Sequence, residues 1–196
     1  MNIGLYFGSF NPVHHGHLII AQHLLNETDL EQVWMVVSPQ NPFKPQKFLL
    51  NEYHRLHLLH LALENANGIK AVDIEFRLPK PSYTINTLAY LKEKYPQHSF
   101  SIIMGSDSLQ NLDKWKNAEQ IMENYPIYVY RRPGFEITAH TITTLKIVDA
   151  PLLQISATHI RELIQNHKSV RFLLPESVMN EIEINGYYKL KNPTQE

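Results

Sequence analysis

His14 and His17 stand three residues apart in the run Gly8-Ser9-Phe10-Asn11-Pro12-Val13-His14-His15-Gly16-His17. On an opening helix that spacing puts both imidazoles near one face. Paired imidazoles beside the free N–H groups of a helix start can donate hydrogen bonds to phosphate oxygens as negative charge builds on them. Gly8 would let the chain turn tightly out of a strand, Pro12 would stiffen the loop, and Gly16 would let a ligand approach the helix start. No Ser, Cys or acidic nucleophile is arranged with a base here, which points to direct in-line transfer without a covalent intermediate. H-x-x-H by itself is more often a helix start with surface histidines. The strand–loop–helix setting of all ten residues is what argues for phosphate chemistry.

A second segment of this kind is Ile155-Ser156-Ala157-Thr158-His159-Ile160-Arg161. Ser156 and Thr158 can cap a helix or bind phosphate in its place. Arg161 lies one turn on from Thr158, where its planar fork reaches the same anion. Alone, this segment reads as an ordinary capped amphipathic helix. Other residues also have plain alternatives: Trp115 among Leu112, Ala118 and Ile121 could be a packed aromatic, Asp107 a helix cap, and Arg132 before Pro133-Gly134 a solvated turn residue. His54, His57 and His60 raise the question of zinc. Neighbours in that set are about 60° apart around a helix, so at most two share a ligand in good geometry. With no cysteine, no protein-held metal is expected.

The elements that must position these residues follow from short apolar runs alternating with helix-period segments. Ile3–Phe7, Val33–Val37, Val72–Phe76, Phe100–Met104, Ile127–Tyr130 and Leu145–Val148 read as strands. His15–Asn26, Glu52–Asn65, Thr84–Tyr95, Trp115–Asn124, Thr158–Asn166 and Glu176–Glu183 read as helices. Glu52–Asn65 carries Leu56, Leu59, Leu63 and Ala66 on one side, and Ser82 or Thr84 could cap the third helix. This alternation implies an α/β fold: a parallel sheet with helices on both faces, in a single domain over residues 1–190, with a polar tail at 191–196. In such sheets ligands bind beyond the carboxyl ends of the strands, where the order reverses. Both phosphate-type segments directly follow a strand.

The first segment resembles the signature of the HxGH nucleotidyltransferase superfamily, G-x-F-D/N-P-x-H-x-G-H. The resemblance implies a Rossmann-like sheet and transfer of AMP or CMP from a nucleoside triphosphate with Mg²⁺. It places His14 and His17 on the triphosphate at the transition state, with Gly8, Ser9 and Phe10 lining the phosphates through their backbone. The second segment resembles the superfamily's I-S-S-T-x-I-R element. Ala157 replaces its second Ser, so phosphate contact is carried over to Ser156, Thr158 and Arg161 only.

Four further segments are similar to the nicotinate mononucleotide adenylyltransferase branch. They are Pro39-Gln40-Asn41-Pro42-Phe43-Lys44, Ser82-Tyr83-Thr84-Ile85-Asn86-Thr87-Leu88, the Ile103–Trp115 stretch with Gly105 and Asp107, and Arg132-Pro133-Gly134. By that similarity Trp115 stacks on a pyridine ring and the backbone near Thr84 reads the nicotinate carboxylate. Gly105 and Asp107 bind nucleotide ribose. Asn41, Lys44 and Arg132 belong to the acceptor side. Asn86 stands where the branch has Asp, and Phe43-Lys44 where it has Pro-His.

Composition removes other classes. Eighteen basic against nineteen acidic residues give a net charge of -1, so no global positive field is present to hold a nucleic acid. The opening run MNIGLYFGSF lacks a basic start and the apolar core of a signal peptide. No stretch approaches the ~20 apolar residues of a membrane span. A cytoplasmic enzyme acting on ATP and nicotinate mononucleotide is the expectation, with no nucleic-acid or membrane partner. Pantetheine-phosphate and nicotinamide mononucleotide remain rival acceptors, and a non-catalytic nucleotide sensor is the rival of another class.

Overall fold

In a computed structural model, residues 1–40, 48–137, 144–151 and 153–190 are described. β1 (Asn2–Gly8) and β2 (Gln32–Val37) are near-continuous apolar runs because helices cover both sides of them. They pair in parallel, from Ile3↔Gln32 to Gly8↔Val37. With β3 (Ile69–Val72), β4 (Ser99–Gly105), β5 (Ile127–Tyr130) and β6 (Leu145–Val148) they form one parallel sheet of order β3-β2-β1-β4-β5-β6. The chain runs from β1 outward to β3, then returns to pair β4 on the other side of β1. Loops leaving β1 and β4 therefore part in opposite directions and open a crevice.

The period-2 alternation of the strands supplies two cores. Val33, Met35, Val37, Ile103 and Tyr128 face the side covered by α1 (His15–Glu27), α2 (Glu52–Ala62), α6 (Ala157–Gln165) and α7 (Glu176–Asn185). Ile3, Leu5, Trp34, Val36, Ile102 and Val129 face the side of α3 (Thr84–Lys94), α4 (Ser106–Leu109) and α5 (Ala118–Asn124).

Several expected boundaries move. The third strand ends at Val72, where its register with β2 runs out. Ile74–Arg77 is a 3-10 turn, which sends Ile74 into the core and lets the Glu75 carboxylate accept from the Thr87 hydroxyl at 2.9 Å. Trp115 precedes its helix, because a 3-10 turn at Leu112–Lys114 comes first and α5 begins only at Ala118. The start of α3 has no side-chain cap: Tyr83 occupies the capping position and Thr84 is the first helical residue. The inner side of α2 is Arg55, Leu58 and Leu59, with Leu56 and Leu63 only partly buried.

Candidate active site

Two adjoining cavities open where the strand order reverses. The larger, about 880 Å³, takes Gly8, Ser9, Phe10, His14, Gly16 and His17 from the β1–α1 segment. Ser156, Thr158 and Arg161 face them from the start of α6, and Asp107 and Arg132 from the ends of β4 and β5. The smaller, about 140 Å³, is lined by Thr84, Gly105 and Trp115 together with Ser38, Glu75, Ser82 and Tyr83. Tyr6, Phe7, Gly8, Ser108 and Tyr130 belong to both, so the cavities meet at the end of β1. Arg132, expected on the acceptor side, lines the larger cavity, whereas Gly105 lines the smaller. Asn41 and Lys44 lie outside the described residues.

His14 is the residue just before α1 and is 5% exposed. Its ring stacks on that of His17, with centroids 3.6 Å apart and planes 21° from parallel. The His14 backbone N–H donates to His17 Nδ1 at 3.3 Å, so a neutral His17 carries its ring proton on Nε2. Burial, helped by the charges of Arg132 and His15, lowers the His14 pKa from 6.5 to about 4. The ring is neutral near pH 7, with Nδ1 shut in and without a hydrogen-bond partner. A polyanion in the cavity would favour the protonated form instead.

The loop between β1 and α1 is shaped by Phe10. Its φ of 45° is uncommon for an aromatic residue, and its ring is 2% exposed. That ring meets His17 and Tyr6 edge-on at 5.1 and 5.8 Å. A Cβ at Gly8 would come within 2.7 Å of the Phe10 ring, so glycine is needed at Gly8 for close packing and not to make the turn. Gly16 is likewise pressed by a neighbour, since a Cβ there would lie 3.0 Å from His14 Nδ1.

The second segment closes on the first through Arg161. Its Nη1 donates to Asn11 O at 2.7 Å and its Nη2 to Thr158 Oγ1 at 3.2 Å. Ser156 caps α6 by accepting from the His159 N–H at 3.1 Å, which leaves its own O–H to donate outward. On the other wall Arg132 Nη1 pairs with Asp107 Oδ2 at 3.1 Å, and the Arg132 N–H donates to Ser106 Oγ at 2.9 Å. A Cβ on Gly105 would collide with the Asp107 carboxylate, so that glycine makes room for the ion pair.

Some of the site escaped sequence reasoning. Tyr6 and Tyr130 share a buried hydroxyl contact of 3.2 Å on the wall common to both cavities. Burial raises both pKa values, keeping the pair neutral. Arg55 is fully buried, and its guanidinium donates to four carbonyls: Leu50 (2.8 Å), Ser9 (2.6 Å), Ser38 (2.8 Å) and Pro39 (3.1 Å). A signal was available: Arg55 stands three and four residues before Leu58 and Leu59, on the apolar side of its helix. Two of the three α2 histidines are engaged with the C-terminal helix region. His54 Nδ1 shares a hydrogen bond of 2.9 Å with the Tyr187 hydroxyl, and His57 Nε2 lies 3.3 Å from Glu181 Oε1. Among the described residues no group of three or more His, Asp or Glu side chains could hold a metal ion.

The cytidylyltransferase-like family matches residues 5–163 of this chain. A protein of Flavobacterium psychrophilum named a probable nicotinate-nucleotide adenylyltransferase is 50% identical over 192 residues, covering 96% of this chain and 100% of that one. One of the same name from Bacteroides fragilis is 41% identical over 180 residues, covering 91% and 90%. The chain belongs to the nicotinate-nucleotide adenylyltransferase family. A solved nicotinic acid mononucleotide adenylyltransferase of Plasmodium falciparum, complexed with NaAD, superposes with a TM-score of 0.82 over 95% of this chain and 97% of that one. At 20% identity that likeness speaks for the family's fold. Among the described residues no helix is long and apolar enough to cross a membrane.

Proposed function

We propose that this chain transfers the adenylyl group of ATP to nicotinate mononucleotide, giving nicotinate adenine dinucleotide and pyrophosphate. ATP is taken as its Mg²⁺ complex, the metal arriving with the triphosphate. The observation that carries the reading is the pair of adjoining cavities. One is lined by both phosphate-type segments, the other by an aromatic ring and a helix start, and they meet at Gly8 and Tyr130. The α-phosphorus sits at that junction. An oxygen of the acceptor's phosphate attacks it in line, the bond to the β-phosphate bridging oxygen breaks, and pyrophosphate leaves on the far side.

In this reading His17, held with its proton on Nε2, and His14 donate to the oxygens that gain charge as the bond breaks. Arg161, Ser156 and Thr158 hold the departing phosphates, with Gly8, Ser9, Phe10 and Gly16 shaping the wall around them. Arg132 adds positive charge, Gly105 and Asp107 face the nucleotide ribose, and Trp115 stacks on the pyridine ring beside Thr84. Asn41 and Lys44 keep their acceptor-side assignment. One feature supports positioning and charge stabilisation over covalent catalysis: the donors converge on one cavity from separate strand ends.

The test is pyrophosphate release with ATP, Mg²⁺ and three acceptors: nicotinate mononucleotide, nicotinamide mononucleotide and phosphopantetheine. Nicotinate mononucleotide should give the highest kcat/KM. Faster turnover of phosphopantetheine than of either mononucleotide would overturn the acceptor assignment. Binding of ATP without release of pyrophosphate for any acceptor would point to a nucleotide sensor.

A further inference from the structure

Asn11 stands in the first phosphate-type segment, yet its side chain is bound to protein backbone. The residue is 7% exposed and lines the larger cavity beside Phe10 and His14. Its Nδ2 donates to Phe48 O at 3.0 Å, and its Oδ1 accepts from the Leu50 N–H at 3.2 Å. A carbonyl only accepts and a backbone N–H only donates, so the amide is fixed in one orientation. Phe48 has a φ of 66°, uncommon for an aromatic residue, and Asn11 grips the carbonyl of that residue.

The Asn11 main chain faces the other way. Its carbonyl accepts from Arg161 Nη1 at 2.7 Å. On the other arm of the fork, Thr158 Oγ1 accepts from Nη2 at 3.2 Å. Two of the five guanidinium N–H groups are thus taken, and among the described residues the other three have no hydrogen-bond partner. Thr158 lies three residues before Arg161 on the same helix and moves with it. Among the described residues, Asn11 O is the one acceptor outside α6 that the guanidinium reaches. It is the outside reference that sets the direction of the fork. The carbonyl two residues earlier, Ser9 O, is held by Arg55, but at Asn11 the amide bonds to residues 48 and 50 do that work.

We propose that Asn11 is a positioning residue for the leaving group: its side-chain amide pins the β1–α1 loop to residues 48–50, and the main-chain carbonyl so fixed aims the Arg161 guanidinium. The inference rests on the functional reading above, in which Arg161 holds the departing phosphates. Alanine at this position keeps the carbonyl but loses both bonds that fix it. Asn11→Asp changes the shape least. A carboxylate still accepts from the Leu50 N–H but has no proton for Phe48 O. It also puts a negative charge on the residue that Arg161 touches, where it competes with phosphate for the fork.

The experiment is a double-mutant cycle on kcat for adenylyl transfer, with Asn11→Ala, Arg161→Ala and both changes together, each protein being melted to establish that it is folded. Arg161→Ala should lower kcat by roughly 10²–10³, as for other donors to developing charge. Asn11→Ala should lower it roughly 10- to 100-fold, up to the cost of about 1 Å of misplacement. If Asn11 acts through Arg161, the double variant is no slower than Arg161→Ala alone, because the group it aims is gone. A double variant slowed by the product of the two effects overturns the inference, as does an Asn11→Ala protein with wild-type kcat. Asn11→Asp takes the place of alanine in the cycle if Asn11→Ala does not fold. The reverse reaction gives an independent readout. There the Asn11 variant should raise the KM for pyrophosphate and leave that for nicotinate adenine dinucleotide unchanged, whereas a merely structural loosening of the loop raises both alike and would overturn the inference. An Arg161→Ala protein with wild-type kcat would instead defeat the role of Arg161 in the functional reading, and this inference with it.

Discussion

Replacing Arg55 with Met removes a cation that, among the described residues, no carboxylate pairs and that four backbone carbonyls satisfy. Hydrogen bonds to a charged group contribute about 1.5–3 kcal/mol each, so the gross loss is roughly 6–12 kcal/mol. Burying a guanidinium costs several kcal/mol of that. The surrounding carbonyls then stay behind without donors, at about 1–3 kcal/mol for each that water cannot reach. A net destabilisation of about 3–5 kcal/mol follows, the usual result of removing one side of a buried charged network. In a domain of this size each kcal/mol moves Tm by about 2–4 °C, giving a fall of roughly 6–20 °C. Because the lost bonds hold Ser9 and Ser38, which line different cavities, KM should rise for ATP and for the acceptor together. Arg55→Lys keeps the charge but presents a compact head in place of a fork, so it should lie nearer Met than wild type. The assay is a thermal melt of each protein followed by two KM titrations. An Arg55→Met melt within about 2 °C of wild type would refute the claim that the guanidinium clamps both loops.

Three further outcomes are expected. Trp115→Ala should raise the acceptor KM roughly 5- to 150-fold, from about 1–3 kcal/mol of stacking, and leave the ATP KM little changed; a large drop in Tm with an unchanged acceptor KM would return the ring to a packing role. His17→Ala should lower kcat by roughly 10²–10³, with some loss of Tm because its ring stacks on His14 and accepts the His14 N–H, and full turnover in that variant would remove His17 from the mechanism. His14 has a folded pKa of about 4 against 6.5 when unfolded, so the folded state binds its proton less readily. The stability it contributes is complete above pH 6.5 and is lost as pH falls toward 4, a change of about 3 kcal/mol. Urea titrations at the two ends of that range should show this loss in wild type and a smaller one in His14→Asn; equal losses would contradict it.

The elements with strong local signals were legible in the sequence. Apolar runs such as Ile3–Phe7 and Val33–Val37 are ended by Gly8 and by Ser38-Pro39, and strand–helix alternation leaves only a parallel sheet. That His14, His17, Ser156, Thr158 and Arg161 sit at the starts of two helices was legible for the same reason, because each lies within a short segment whose local geometry is set by its own helix start. Errors fell where a neighbour outranked the local pattern. Residues Val72–Phe76 have the composition of a strand, but β2 offers partners only as far as Val72, and Glu75 is drawn to Thr87 on α3. Trp115 looks helical by spacing, yet the chain stays extended there, with the ring half-buried between the core and the smaller cavity.

What the sequence determined by itself was the family's kind of chemistry and the two helix-start segments that line the larger cavity. It contained no measure of distance between residues 150 positions apart, and so could not say that the Arg161 guanidinium closes on Asn11 O at 2.7 Å. Nor could it say that Arg132 would face the phosphate segments, or that Gly8 makes room for the Phe10 ring. Arg55 and Glu75 show the limit most clearly. In the chain they look like ordinary solvated charges, since nothing local tells a charged residue that water will be excluded around it. Burial is a property of the packed sheet and helices. Only the tertiary structure wraps four carbonyls around one of these side chains and leaves an oxygen of the other unpaired on a cavity wall.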